Sequence, residues 1–92
     1  MANGLVQTTL NKTEMTHELK TLPQYFWEVW NENKTFEIRK DDRDYKVGDK
    51  LRLLEYNYSK YTGKECNRTI TYILRDCEKY GLKKGFVILG MK

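Results

Sequence analysis

Apolar side chains near the start of the chain recur with the spacing of an amphipathic helix. Five of them share one face at the helical period of 3.6 residues: Leu22, Tyr25, Phe26, Val29 and Trp30. Pro23 suits the first turn, where its missing N–H costs no hydrogen bond, and Thr21 with Gln24 matches a capping box. The pattern predicts a helix over residues 22–32 whose apolar face covers the core.

Alternation of apolar and polar positions predicts strands on both sides of this helix. The predicted strands cover residues 15–20, 34–40, 50–57, 65–75 and 86–89. The last of them is a short apolar run, which is typical of a strand buried on both faces. Residues 58–64 fit a hairpin connection in which Gly63 takes positive φ, and residues 76–84 fit a charged loop or a helical turn closed by Gly81.

The alternation also assigns faces to the strands. In the strand at 34–40 it predicts that Phe36 and Ile38 point into the core, while Glu37 and Arg39 point to solvent. The other core positions expected on strands are Leu19, Leu51, Leu53, Ile70, Tyr72, Phe86 and Ile88. One early helix followed by about four strands predicts an α+β fold with a mostly antiparallel sheet, in which the helix plugs a small, partly closed barrel.

Size and composition narrow the class of protein. The 92 residues suffice for one domain, which we place at residues 15–92, with residues 1–14 as a tail whose flexibility is left open. With 39% hydrophobic residues the chain is too apolar for a disordered protein, and it lacks the apolar run of about 20 residues that a membrane span needs. We expect a monomeric cytoplasmic protein that does not bind membranes.

Charge and metal-ligating residues indicate the class of partner. The net charge is +4, and it comes from residues 33–92, which carry 15 basic and nine acidic side chains. This bias is compatible with a nucleic-acid partner, and many soluble domains carry such a charge on a solvated face. No metal or cofactor is expected, because Cys66 and Cys77 lack metal-ligand spacing and the clustered aspartates of residues 41–49 suit a turn.

The segment Lys34-Thr-Phe-Glu37-Ile-Arg39 is the strongest candidate for chemistry. Glu37 and Arg39 would lie about 7 Å apart on one strand face, with Lys34 just before them. Two cations could grip a phosphate while the carboxylate accepts a base N–H. The same spacing fits a solvated ion pair that contributes at most about 1 kcal/mol, so spacing alone leaves both interpretations open.

Three short motifs stand in order along the chain: Lys34-x-x-Glu37-x-Arg39, Asp42-Arg43 and Val47-Gly48-Asp49. Together they resemble the signature of the ASCH domains, which belong to the PUA-like superfamily. The order of motifs over residues 17–90 is similar to a small phage- and prophage-associated branch of that superfamily with no assigned function. The resemblance implies a small β-barrel with a helix beside a cleft. It also implies that the motif's Lys, Glu and Arg line this cleft and bind RNA.

The resemblance assigns roles to several side chains in an RNA- or nucleotide-binding site. Lys34 and Arg39 would contact phosphate or a base edge, and Glu37 would accept a base N–H. Peripheral charge would come from Arg43 and Lys46, and a stacking ring from Tyr25 or Trp27; of these two, Trp27 falls off the apolar stripe of the helix. The broader family pattern has Gly at the position of Glu32, which here adds a negative charge beside the cleft.

Two other functions stay open at this stage. Some ASCH-type proteins are enzymes, among them an amidohydrolase acting on acetylated cytidine. Its nucleophilic Thr occupies the position of Glu37, so a hydrolase of modified nucleosides or RNA would here use Glu37 as general base and Lys34 to stabilise an oxyanion. The third hypothesis is a phage accessory or adaptor protein whose partner is another protein. Binding without catalysis is the first hypothesis.

Overall fold

The computed structural model of the protein describes residues 14–92, so the predicted tail lies outside the described residues except for Glu14. The elements are β1 (Thr16–Thr21), α1 (Pro23–Trp30), β2 (Phe36–Lys40), β3 (Lys50–Tyr56), β4 (Tyr61–Leu74), a 3₁₀ turn (Cys77–Tyr80) and β5 (Phe86–Met91). The predicted helix and strands are therefore present. Within residues 14–92, neither length nor apolar character would let any helix cross a membrane.

The five strands form one sheet in the order β1-β3-β4-β5-β2. β1 and β3 run parallel, and the other three neighbouring pairs are antiparallel. The long strand β4 belongs to both halves of the sheet, because it pairs with β3 as far as Thr69 and with β5 from Ile70 onward. The predicted α+β class and mostly antiparallel sheet are confirmed, but the sheet is not closed into a barrel, and β1 and β2 are its two edges.

α1 packs across one face of the sheet. Eleven side chains form the core there: Leu19, Phe26, Val29, Tyr45, Leu51, Leu53, Cys66, Ile70, Val87, Leu89 and Met91. On the predicted apolar stripe of the helix only Phe26 and Val29 are buried, whereas Tyr25 and Trp30 are each 49% exposed. The predicted capping box is wrong, since the N-cap is Leu22 and the Thr21 hydroxyl donates to the Leu19 carbonyl.

The predicted faces of β2 and β5 are reversed in the structure. Glu37 and Arg39 stand opposite Leu89 and Val87 on the core side, while Phe36 and Ile38 are exposed. β5 alternates between buried and half-buried positions and so is not buried on both faces; Phe86 and Ile88 point away from the core. A period of two defines two faces without saying which is buried, and here the buried face of β2 carries the charges.

Two bulges in β4 explain further differences from prediction. Ile70 pairs with Met91 and Tyr72 with Gly90, so Thr71 is an extra residue and the alternation reverses after it. Tyr72, a predicted core residue, is therefore exposed, and its neighbour Ile73 packs against the core instead. The second bulge lies where β4 pairs with β3, between the pairs Leu54–Glu65 and Tyr56–Tyr61. It contains Gly63, which has the expected positive φ but lies inside β4 rather than in the hairpin connection.

A buried hydrogen bond between two side chains joins the start of β1 to the loop before β3. The imidazole Nε2 of His17 lies 2.7 Å from Oδ2 of Asp49, and both side chains are buried. The backbone amides of Met15 and Lys46 also donate to the Asp49 carboxylate. Burial on its own raises the pKa of Asp49, but these three hydrogen bonds outweigh burial and hold that pKa below its ordinary value of 3.8.

This pair makes stability sensitive to acid. A carboxyl whose pKa is lowered by folding stabilises the protein above its ordinary pKa, and the contribution is lost as the pH falls through the lowered value. We expect the Asp49→Asn variant to be less stable than the wild type at neutral pH, with a difference that shrinks below pH 3.8. Urea unfolding at a series of pH values measures it. A difference that stays constant with pH would contradict the assignment, and Asp44→Asn, at an exposed aspartate, is the control.

Candidate functional site

A cleft of about 490 Å³ opens where the sheet fails to close. It lies between the outer edges of β1 and β2, beside the first turn of α1. We call the gap between these two strand edges the seam. The cleft is lined by Lys20, Thr21, Leu22, Tyr25, Lys34, Phe36, Glu37, Ile38 and Arg39. All three residues of the Lys-x-x-Glu-x-Arg motif therefore face one cavity.

Glu37 is the centre of the charged group in this cleft. Its side chain is only 5% exposed, and it is held between two cations. Lys34 Nζ donates to Oε2 at 2.7 Å, and Arg39 Nε donates to Oε1 at 3.0 Å. One carboxylate between two cations leaves one net positive charge. A carboxylate offers about four acceptor positions, so Glu37 keeps room for a further donor from a ligand.

Lys34 and Arg39 are positioned by the backbone as well as by Glu37. Lys34 Nζ also donates to the Phe36 carbonyl at 2.6 Å, and it lies 4.8 Å from the centre of the Phe36 ring and 5.7 Å from that of Tyr25. An ammonium carries three N–H donors and a guanidinium five. Among residues 14–92, acceptors are present for only part of these donors, so both cations retain N–H groups for an anion in the cleft.

Arginine side chains bridge the seam. Arg39 Nη2 donates to the Lys20 carbonyl at 3.1 Å, and Arg43 Nη1 donates to the Glu18 carbonyl at 2.8 Å. Both carbonyls belong to the outer edge of β1, whose other edge pairs with β3. Guanidinium groups thus satisfy edge carbonyls that a neighbouring strand would otherwise bind, and this keeps the cleft open while it covers the edge.

The predicted site residues divide into two groups. Tyr25, which was expected both on the apolar face of the helix and as a stacking ring, lines the cleft together with the motif residues. Three others lie outside it: Arg43 contacts the edge of β1, Lys46 is exposed and pairs with Asp44, and Trp27 packs edge-on against Phe26 and Trp30. The sequence did not indicate Lys20, Thr21 and Leu22 as cleft residues. They line the cleft because β1 and β2 face each other across the seam.

Other reactive groups do not add to this cleft. Within the part of the chain that the structure describes, no three His, Cys, Asp or Glu side chains are grouped to hold a metal ion. Cys66 and Cys77 are free thiols in the core. Burial raises the pKa of the Cys66 thiol, which favours its unreactive protonated form. The chemistry of the cleft is therefore that of an ion-paired carboxylate, three cations and aromatic rings.

The residues from β1 to β5 match the model of one protein family. A model of the family described as a domain of unknown function, DUF3850, matches residues 16–91. The chain belongs to the DUF3850 family. A search of the curated proteins finds no match to it. The match runs from β1 to β5, so all the strands that build the cleft belong to the DUF3850 domain.

Proposed function

We propose that this DUF3850 domain binds RNA or a nucleotide in the cleft, without chemical conversion. The observation that carries the proposal is the arrangement of Lys34, Glu37 and Arg39 on one wall, beside the ring of Tyr25. The two cations would bind a phosphate through their remaining N–H groups, as Lys and Arg do in nucleic-acid complexes. Glu37 would accept a base N–H, and Tyr25 would stack on the base.

The placement of the charges supports an anionic ligand. The side chains of Lys34 and Arg39 are only 17% and 24% exposed, so a phosphate bound there would be partly removed from water, where charge attraction is stronger. Lys20 adds a further positive charge at the rim of the cleft. Since Glu37 already fixes the direction of both cations, binding would require little reordering of these long side chains.

The resemblance to ASCH domains supports the same proposal. It places the motif's Lys, Glu and Arg in an RNA-binding cleft beside a helix. We also propose that the fold is a variant of the PUA-like barrel. In this variant Arg39 and Arg43 bridge the seam where a closed barrel has strand-to-strand hydrogen bonds.

Hydrolysis is the weaker alternative. In the amidohydrolase that the chain resembles, a nucleophilic Thr occupies the position of Glu37, and a carboxylate cannot replace that hydroxyl in the same acyl transfer. The Thr21 hydroxyl in the cleft donates to the Leu19 carbonyl, and no imidazole that could activate it lines the cleft among the described residues. Product formation from RNA or acetylated cytidine that is lost in Glu37→Gln would favour the hydrolase instead.

The test is the loss of one cation from the cleft. We expect Arg39→Gln to lower the affinity for a short single-stranded RNA by about tenfold or more, because hydrogen bonds to charged groups contribute about 1.5–3 kcal/mol. Binding of the wild type should weaken as salt rises. Fluorescence anisotropy measures both effects, and thermal unfolding checks that the variant is folded.

Arg52→Gln is the matched control. Arg52 is an ion-paired arginine on β3 that contacts Glu18 and Glu65 and does not line the cleft. Its removal should change the affinity less than twofold. Lys34→Met is a second variant of the cleft and should weaken binding as Arg39→Gln does. Wild-type protein that leaves RNA and nucleotide unbound at low salt, or an equal loss in Arg52→Gln, would overturn the proposal.

A further inference from the structure

A second surface continues from the cleft along the hairpin that joins β3 to β4. We call residues 56–64 the hairpin arm. It carries three tyrosines and two lysines: Tyr56, Tyr58, Lys60, Tyr61 and Lys64. Tyr58 and Tyr61 are 65% and 53% exposed. Exposed aromatic rings interleaved with cations are the composition of surfaces that bind single-stranded nucleic acid.

The hairpin arm is in direct contact with residues around the cleft. Lys20, which lines the cleft, places Nζ 4.3 Å from the centre of the Tyr56 ring and 5.9 Å from that of Tyr61. The Tyr58 hydroxyl donates to Oε1 of Gln24 at 2.7 Å, in the first turn of α1. Gln24 is the sequence neighbour of Tyr25, whose ring lines the cleft. The hairpin arm therefore contacts Lys20 and the first turn of α1, both of which border the cleft.

Hydrogen bonds and a ring contact within the hairpin arm restrain its conformation. Tyr56 and Tyr61 pair across its base with ring centres 5.1 Å apart. At the tip, the Asn57 amide donates to the Lys60 carbonyl, and the Lys60 amide donates back to the Asn57 side chain. The buried carboxylate of Glu55 accepts from the Thr62 hydroxyl at 2.7 Å. A surface fixed in this way loses little conformational entropy on binding.

The charge of the hairpin arm is positive on its solvent side. The two glutamates beside it are already occupied, because Glu55 is buried against Thr62 and Glu65 pairs with Arg52. Lys60 and Lys64 have no carboxylate within ion-pair distance in the part of the chain that the structure describes. Both ammonium groups therefore point their charge at solvent, where a phosphate backbone would neutralise it.

We propose that the hairpin arm is a second subsite, which binds the nucleotides that flank the one in the cleft. The ligand would then be single-stranded RNA rather than a free nucleotide, and this inference rests on the proposed function of the cleft. Bases would stack on Tyr58 and Tyr61 while Lys60 and Lys64 contact phosphates. A duplex is a poor ligand for such a surface, since its bases are stacked on one another and leave no face for the tyrosine rings.

The experiment compares two probes, a nucleoside 5′-monophosphate and a single-stranded RNA octamer. We expect the wild type to bind the octamer at least tenfold more tightly than the monophosphate. The double variant Tyr58→Leu/Tyr61→Leu should lose about tenfold in affinity for the octamer and less than twofold for the monophosphate. Tyr72→Leu, at an exposed tyrosine on the outer face of the sheet, is the control and should bind both probes like the wild type.

The lysines give a second measurement that does not depend on the tyrosines. The double variant Lys60→Gln/Lys64→Gln should bind the octamer with a weaker salt dependence. The plot of log affinity against log salt should become less steep by about one to two, and for the octamer only. Equal wild-type affinity for the two probes, an octamer duplex bound as tightly as the single strand, or arm variants that bind the octamer like the wild type would overturn the second subsite. If the monophosphate still binds and Arg39→Gln abolishes that binding, the cleft proposal survives such a failure. If neither probe binds the wild type, both proposals fail.

Discussion

Replacing Phe26 with alanine is expected to lower the free energy of unfolding by about 3–5 kcal/mol, which is the usual cost of emptying a buried aromatic site. Phe26 is fully buried and joins α1 to the sheet. Its ring also contacts both indoles of the helix, at 5.2 Å from Trp27 and 6.0 Å from Trp30 between ring centres. Small domains have about 5–15 kcal/mol in total, so this single change removes a large share. Urea unfolding followed by tryptophan fluorescence measures it.

Trp30→Ala is the matched control on the same helix. Trp30 is a larger residue, but half of its surface is exposed, so its removal should cost less than the removal of Phe26. A larger loss for Trp30 than for Phe26 would mean that Trp30, rather than Phe26, fills the core beneath α1, and the description of the core would be wrong. Phe26 also matters for the cleft, because the helix that it anchors supplies Tyr25 and Leu22 to the cleft wall.

The second large effect is expected at Glu37. Glu37→Gln keeps the shape of the side chain but removes the charge that holds Lys34 and Arg39 in place. Two cations with little access to water would then face each other without a counter-charge. We expect a loss of about 2–3 kcal/mol in the free energy of unfolding, somewhat less than for a fully buried ion pair because both cations keep part of their hydration. Urea unfolding at neutral pH and low salt measures the loss.

Glu18→Gln separates this effect from the general cost of removing a carboxylate. Glu18 also pairs with an arginine at 2.7 Å, but both side chains of that pair are about half exposed. Exposed pairs contribute about 0–1 kcal/mol, so the expected loss is at most that. Equal losses in the two variants would show that the charged group of the cleft behaves as an ordinary solvated ion pair, which is the interpretation that spacing alone left open.

The sequence predicted the elements of this fold better than their faces. The apolar spacing located α1, and the strand positions followed from alternation, because both periods are local properties of the chain. Which face is buried depends on neighbours that are distant in sequence. Phe36 and Ile38 were expected inside, but β2 pairs with β5 in the register that turns Glu37 toward the core side. The bulge at Thr71 likewise follows from pairing with β5 and leaves no pattern in the local sequence.

The motif residues of the candidate site could be named in advance, but their surroundings could not. Lys34, Glu37 and Arg39 lie within six residues, and Glu37 and Arg39 share one face of β2. The contribution of Lys20 depends on β1 pairing parallel with β3 and lying across the seam from β2, which no short-range pattern encodes. Tyr45, a core residue in a segment predicted as a charged loop, was missed for the same reason: its burial comes from tertiary contacts.

The strand order has a consequence for synthesis of the protein. β2 is hydrogen-bonded to the rest of the sheet through β5, which follows the other four strands of the sheet in the chain. While the ribosome is still producing residues 86–91, the strand that carries Glu37 and Arg39 has no partner in the sheet. β1, α1, β3 and β4 can assemble before that moment, but the cleft cannot. A nascent chain therefore completes the cleft only after β5 has joined the sheet.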